Sequence, residues 1–173
     1  MQTVEAIVLA FQKRNDSSSL LHLYTREYGR IAVVVYGAQT IVSRKNKPFN
    51  KSLFSPLSWL DVIVRENHSE KSIYTLHSAS YHYIPNYIHI DIKRQCVAIY
   101  IAEVLYKSLR HPLADEQVFD YITSQIKEID SADSIGSIPL NFIVQLSGLL
   151  GYGGEIMEEI REIKSAELVE DIL

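Results

Sequence analysis

The stretch from Leu20 to Ala38, LLHLYTREYGRIAVVVYGA, leaves the chain few options. Two runs rich in apolar and β-branched residues, Leu20 to Thr25 and Arg30 to Tyr36, flank the four residues Arg26 to Gly29, which end in the glycine that a tight reversal favours. This spacing predicts a β-hairpin. Side chains alternate across a strand, so Leu21 and Leu23 share one face while Leu20, His22 and Tyr24 share the other. The first face is expected to be core and the second a usable surface. Arg26 and Arg30 flank the turn and place positive charge at its tip. A cationic, aromatic-bearing hairpin in a small β domain points to nucleic acid.

Three further strands are expected around it. Thr3 to Phe11 (TVEAIVLAF) carries a single charge and is long enough to bend around a barrel. The polar segment Gln12 to Ser19 reads as a loop that exposes Lys13 and Arg14. Gly37 to Pro56 breaks the β pattern with Gly37, Pro48 and Pro56, and gathers Arg44, Lys45, Lys47 and Lys51 within eight residues. Beside a basic hairpin, that cluster reads as a phosphate-tracking segment. Leu57 to Val64 is a fourth strand, Arg65 to Ser72 a polar turn and Ile73 to Ala79 a fifth strand. Five short strands joined mostly by polar loops suit a small closed barrel such as an OB-fold.

After Ala79 the pattern changes. Tyr81, Tyr83 and Tyr87 surround Pro85 in a segment expected to form the seam between domains, their rings packed and their hydroxyls wet. Apolar residues at helical spacing follow over Asp91 to Leu109 and Asp115 to Ile129, each opened by an aspartate suited to capping. Ser137-Ile138-Pro139 starts a third helix that runs to Gly151, and Glu155 to Ile172 is a fourth, strongly acidic one. The fold class is therefore α+β: an N-terminal OB-fold barrel over residues 1–80 and a small all-α domain over 81–173.

Charge is divided between the ends of the chain. Residues 1–60 hold eight Lys or Arg against three acids, a balance of +5, whereas 111–173 hold three against thirteen, a balance of −10. Such asymmetry fits a nucleic-acid-facing N-terminal half. Cys96 is the single cysteine, which excludes an intrachain disulfide and multi-thiolate metal sites, and in mid-helix it is expected to be a packed, structural thiol. No run approaches the length of a membrane helix and no leader pattern opens the chain, so a soluble, cytoplasmic protein is expected. His82, His89 and Asp91 are close in sequence, but their spacing matches no helical ligand pair, and HExxH, GxSxG and phosphate-loop patterns are absent. No catalytic residue, metal or cofactor is expected. Binding chemistry is better supported: OB-folds hold ligands on strands two and three and the flanking loops. Lys13, Arg14, Arg26, Arg30, Arg44, Lys45, Lys47 and Lys51 would neutralise phosphates, with Tyr24 and Tyr36 as stacking platforms for bases.

The chain also resembles a known family. AIVLAF at 6–11, Asn15-Asp16, LYTREYGRI at 23–31, Gly37-Ala38, LFSPLSWLDV at 53–62, AIYIAEVLY at 98–106, VFDYI at 118–122 and LNFIVQLSGLLGY at 140–152 run in the order found in the RecO recombination mediators. The likeness is to the Bacteroidetes-like branch, which often lacks the family's zinc motif. It implies an OB-fold with a helical domain that binds and anneals single-stranded DNA, pairs with RecR and contacts the acidic tail of the single-stranded DNA-binding protein. Lys93, Arg94, Lys107 and Arg110 are the cations placed to receive such a tail. Two departures from the family pattern stand out. Tyr36 and Gln39 occupy positions near Gly37-Ala38 where the family often has lysine and arginine, and one acidic helix takes the place of a longer C-terminal portion, a shortened form. An adaptor that docks protein tails and has lost DNA affinity is the alternative reading, and a metal-dependent hydrolase a distant third.

Overall fold

The computed structural model describes residues 2–36, 51–66, 73–110 and 113–152. Its strands are β1 (Gln2–Lys13), β2 (Ser18–Thr25), β3 (Gly29–Tyr36), β4 (Trp59–Glu66) and β5 (Ile73–Tyr81). They close into a barrel in the order β1-β2-β3-β5-β4, with every pair antiparallel except β3 and β5. This is the five-stranded OB-like barrel the sequence predicts, and helices follow it. β1 closes the ring by pairing with β4 over Gln2 to Ile7 and with β2 over Ala6 to Lys13, and a register shift between Val8 and Ala10 supplies the bend. A short 3-10 turn, Lys51–Phe54, precedes β4 at positions expected to be loop, and β4 begins two residues later than expected because Leu57 and Ser58 hydrogen-bond to the backbone of Val8 instead.

Alternation decides the barrel interior. Val4, Ala6 and Val8 of β1, Leu21 and Leu23 of β2, Ile31, Val33 and Val35 of β3, Leu60, Val62 and Val64 of β4 and Leu76 of β5 form one buried cluster. Phe54 adds to it and meets the Phe11 ring at 5.1 Å. The outward-facing Ile7 is also fully buried, because α1 (Ile92–Ser108) packs along β1.

The chain forms two compact units, Met1–Asp133 and Ser134–Leu173. The first holds the barrel, α1 and α2 (Glu116–Ser131). The second holds α3 (Ile138–Leu149), whose buried residues Ile138, Phe142 and Leu146 recur every four residues. Pro139 lies in its first turn as expected, and Gly151 ends it at φ +84° with the paired reverse hydrogen bonds Gly151 N to Gly148 O and Tyr152 N to Ser147 O. The acidic helix expected over 155–172 lies outside the described residues.

Asp91 and Asp115 cap α1 and α2 through their carboxylates, as their positions before each apolar run predict. The segment after β5 is pinned by Asp130 on the last turn of α2. One carboxylate oxygen accepts from the backbone N–H of Tyr87 (2.8 Å) and Ile88 (3.0 Å), the other from Asn86 N–H and the Tyr83 hydroxyl (2.9 Å each). Burial alone would raise the Asp130 pKa, but the donations from Asn86, Tyr87, Ile88 and Tyr83 outweigh it and hold the carboxyl below its ordinary value. Arg94 completes the join, donating to the carbonyls of Ile129 and, at 2.7 Å, Ala132.

A folded-state pKa below the unfolded one means that Asp130 stabilises the fold above the unfolded carboxylate value of about 3.9 and loses this contribution as pH falls through the lowered value. Asp130→Ala leaves these donors unpaired and should cost about 3 kcal/mol in urea denaturation at pH 7. Asp130→Asn should lose less at neutral pH and flatten the acid limb of the stability profile. An acid limb identical to that of the parent protein would show that Asp130 does not govern it.

Candidate nucleic-acid interface

Strand direction sorts the basic residues into two groups. β1, β3 and β5 run one way and β2 and β4 the other, so the ends of β1, β3 and β5 share one end of the barrel with the starts of β2 and β4. That end carries Lys13, Arg14 and Tyr36, and the 3-10 turn that Lys51 begins lies against it. The β2–β3 turn, with Arg26 and Arg30, lies at the opposite end.

The turn residues are committed to the helices. The Arg26 guanidinium bonds to Glu5 at 3.0 Å and Asp120 at 2.8 Å, lies 3.6 Å from Glu116 and stacks 4.4 Å over the Phe119 ring. Although its partial burial opposes the charge, hydrogen bonds to Glu5 and Asp120 raise its pKa above the ordinary value. Arg30 donates to the carbonyls of Tyr106 (2.8 Å) and Leu109 (3.2 Å), the open acceptors at the end of α1, and stacks 4.2 Å over Tyr106. Tyr24 is 1 % exposed, with its ring stacked on Phe119 and its hydroxyl directed at the Asp115 carbonyl at 3.5 Å. His22 packs edge-on against Tyr106, and burial, then the Arg30 charge, lower its pKa.

These placements correct the expectation of an open hairpin surface. The face shared by His22 and Tyr24 is covered by α1 and α2, so Tyr24 offers no face to a base. Arg26 and Arg30 serve the packing of barrel on helix pair. The acids that claim Arg26 come from β1 and the first turns of α2, Glu5 and Asp120, far apart in the chain.

Among the described residues, the opposite end carries exposed side chains. Tyr36 is 55 % exposed at the last position of β3, and Lys13 and Arg14 are exposed where β1 ends. The loop they lead into is rigidified by Asn15, whose side-chain oxygen accepts from the N–H and hydroxyl groups of Ser17 and Ser18. Lys13 reaches Asp16 at 3.0 Å, but both are highly exposed, so the pair is weak and leaves the cation available. Lys51 opens the 3-10 turn, while Arg44, Lys45 and Lys47 lie outside the described residues.

The four cations expected to receive an acidic tail do not form one cluster. Arg94 is spent on Ile129 and Ala132, Lys107 pairs with Glu103 at 2.7 Å along α1, and Arg110 donates to the Lys107 carbonyl. Lys93 is exposed near the start of the helix. Cys96 is exposed too, contrary to the packed thiol expected, because the buried stripe of α1 runs through Ala98, Ile101, Ala102 and Leu105. Of the three potential ligands near the seam, Asp91 caps α1, while His82 stacks on Trp59 at 4.7 Å and meets Asp61 at 3.0 Å. No group of three metal-ligating side chains occurs among the described residues, and no helix among them is long and apolar enough to cross a membrane.

The family model for the N-terminal part of recombination protein O matches residues 1–84, and that for its C-terminal part matches 89–167. The chain belongs to the RecO family. It is 29 % identical over 159 residues to the DNA repair protein RecO of Porphyromonas gingivalis, covering 88 % of this chain and 64 % of that one. To those of Phocaeicola vulgatus and Christiangramia forsetii it is 29 % and 25 % identical, covering 61 % and 62 % of their lengths. The chain thus spans a little over three fifths of these RecO proteins.

Within this RecO chain, the LYTREYGRI stretch that marks the resemblance builds the seat of the helices. Arg26→Ala and Arg30→Ala should therefore each lower stability by about 1–2 kcal/mol in chemical denaturation, from lost charge-assisted hydrogen bonds and ring stacking. Midpoints equal to that of the parent protein would show that these arginines hold nothing together.

Proposed function

We propose that this RecO-family chain acts in DNA repair, without catalysis, by binding and annealing single-stranded DNA at the barrel end that carries Lys13, Arg14, Tyr36 and Lys51. The observation that carries this reading is the grouping of those residues at one end of the barrel, where β3 also leads into the stretch with Arg44, Lys45 and Lys47. Cations there release counterions from the phosphate backbone, and Tyr36 supplies a ring for a base. Residues 1–80 are the DNA-facing part in this reading, and 81–173 the part that meets RecR and the tail of the single-stranded DNA-binding protein.

A second reading, an adaptor for proteins, is favoured by the exposed Ile84, Ile90, Ile92 and Ile99 on α1 and the segment before it. The two separate cleanly. Fluorescence anisotropy with a labelled oligonucleotide should show affinity falling about 100-fold between roughly 50 and 200 mM salt, the loss expected for about five phosphate contacts on a single strand. The combined change Arg44→Glu, Lys45→Glu and Lys47→Glu should weaken binding at least about tenfold and flatten the salt slope. Affinity indifferent to salt and to charge reversal, with capture of RecR intact, would leave the adaptor in its place.

A further inference from the structure

At the same end of the barrel, a cavity of about 400 Å³ opens between the 3-10 turn, β5 and α1. Its size falls in the range of small-ligand pockets. Ser52, Ser55 and Pro56 form one side, and Ala98 and Ile99 of α1 the other. Tyr81, which closes β5, and His89 contribute rings whose centres lie 6.3 Å apart. The remaining polar wall is Gln95, held in place by donating to the His89 carbonyl at 2.6 Å.

Among the described residues, the lining contains no Lys, Arg, Asp or Glu. Burial lowers the His89 pKa despite the charge of Asp130, so the imidazole is neutral at physiological pH, and its Nε2 has no hydrogen-bond partner among the described residues. These walls offer no countercharge to a phosphate or carboxylate. An uncharged planar ring with polar edges matches the walls: aromatic and aliphatic surfaces for its faces, serine hydroxyls and an amide for its edge. What brings such a ring here is the position of the cavity. Lys51, the last of the four clustered cations, directly precedes Ser52 at the rim, and Lys13, Arg14 and Tyr36 share this barrel end.

We propose that the cavity receives one unstacked base of a bound single strand, with Tyr81 as its stacking wall and the Ser52–Ser55 turn at its edge. This rests on the strand-binding reading above and adds a subsite to it. Phosphate contacts and the base pocket then act separately, the first sensitive to salt and the second to the presence of bases.

The test compares a thymidine oligonucleotide with an abasic one of equal length and charge, by anisotropy across a salt series. The proteins compared are the parent chain, Ala98→Leu and Ser55→Phe, which fill the cavity from opposite walls, so that one informs if the other misfolds. Loss of the bases should weaken the parent about tenfold, and the filled variants, which keep Tyr36, should show a clearly smaller abasic penalty with an unchanged salt slope. A thymidine oligonucleotide carrying 5-iodouracil should photocrosslink to Tyr81 in the parent alone. An equal abasic penalty in all three proteins, or none in the parent, overturns the pocket and leaves strand binding standing. Absence of salt-dependent binding to either oligonucleotide defeats the strand-binding reading and the pocket with it.

Discussion

The turn between β2 and β3 is the joint on which this structure depends. Gly29 sits there at φ +62°, and a Cβ at that position would collide with the backbone of Leu113 and lie 2.8 Å from the nitrogen of Ala114. The absence of a side chain lets the connection between α1 and α2 lie directly on the turn. Either side of it, Arg30 closes the open carbonyls at the end of α1 and Arg26 gathers the acids at the start of α2. One hairpin thereby fixes where one helix stops and the next begins. Asp130 and Arg94 make the corresponding join at the far end of the pair, where α2 holds the segment leading into α1.

That joint determines which barrel surface is left for a ligand. Once α1 and α2 cover His22, Tyr24 and the turn, the outer face of β2 and β3 near the hairpin is lost to solvent. At the opposite end, among the described residues, Tyr36 and the β1–β2 loop are exposed. The two ends also differ in electrostatic character. Arginines at the turn are balanced by Glu5, Glu116 and Asp120, whereas among the described residues Lys13 meets a fully solvated Asp16. Positive charge in the first sixty residues is thus partly structural and partly available.

Much of the architecture was legible beforehand because it rests on local rules. Alternation separated Leu21 and Leu23 from Tyr24, the glycine marked the turn, and Asp91 and Asp115 announced the helix starts. The length of the first apolar run anticipated the strand that closes the barrel. The same run held a signal of wider meaning: AIVLA in β1 is apolar on both faces, as expected of a strand buried inside and out, and Ile7 is buried beneath α1. The candidate site was harder to see. Nothing near Arg26 in sequence indicates that Asp120 and Phe119 would meet it, and Tyr24 and Tyr36, alike as residues on neighbouring strands, lie at opposite ends of the barrel with opposite exposure.

The sequence by itself determined five strands, a hairpin, capped helices, family membership and a surplus of basic residues in the N-terminal part, because period, turn chemistry and capping act over a few residues. Tertiary structure alone decided which cations remain exposed and which are spent on packing. A side chain's partners depend on strand direction and helix docking, so they come from chain segments tens of residues away.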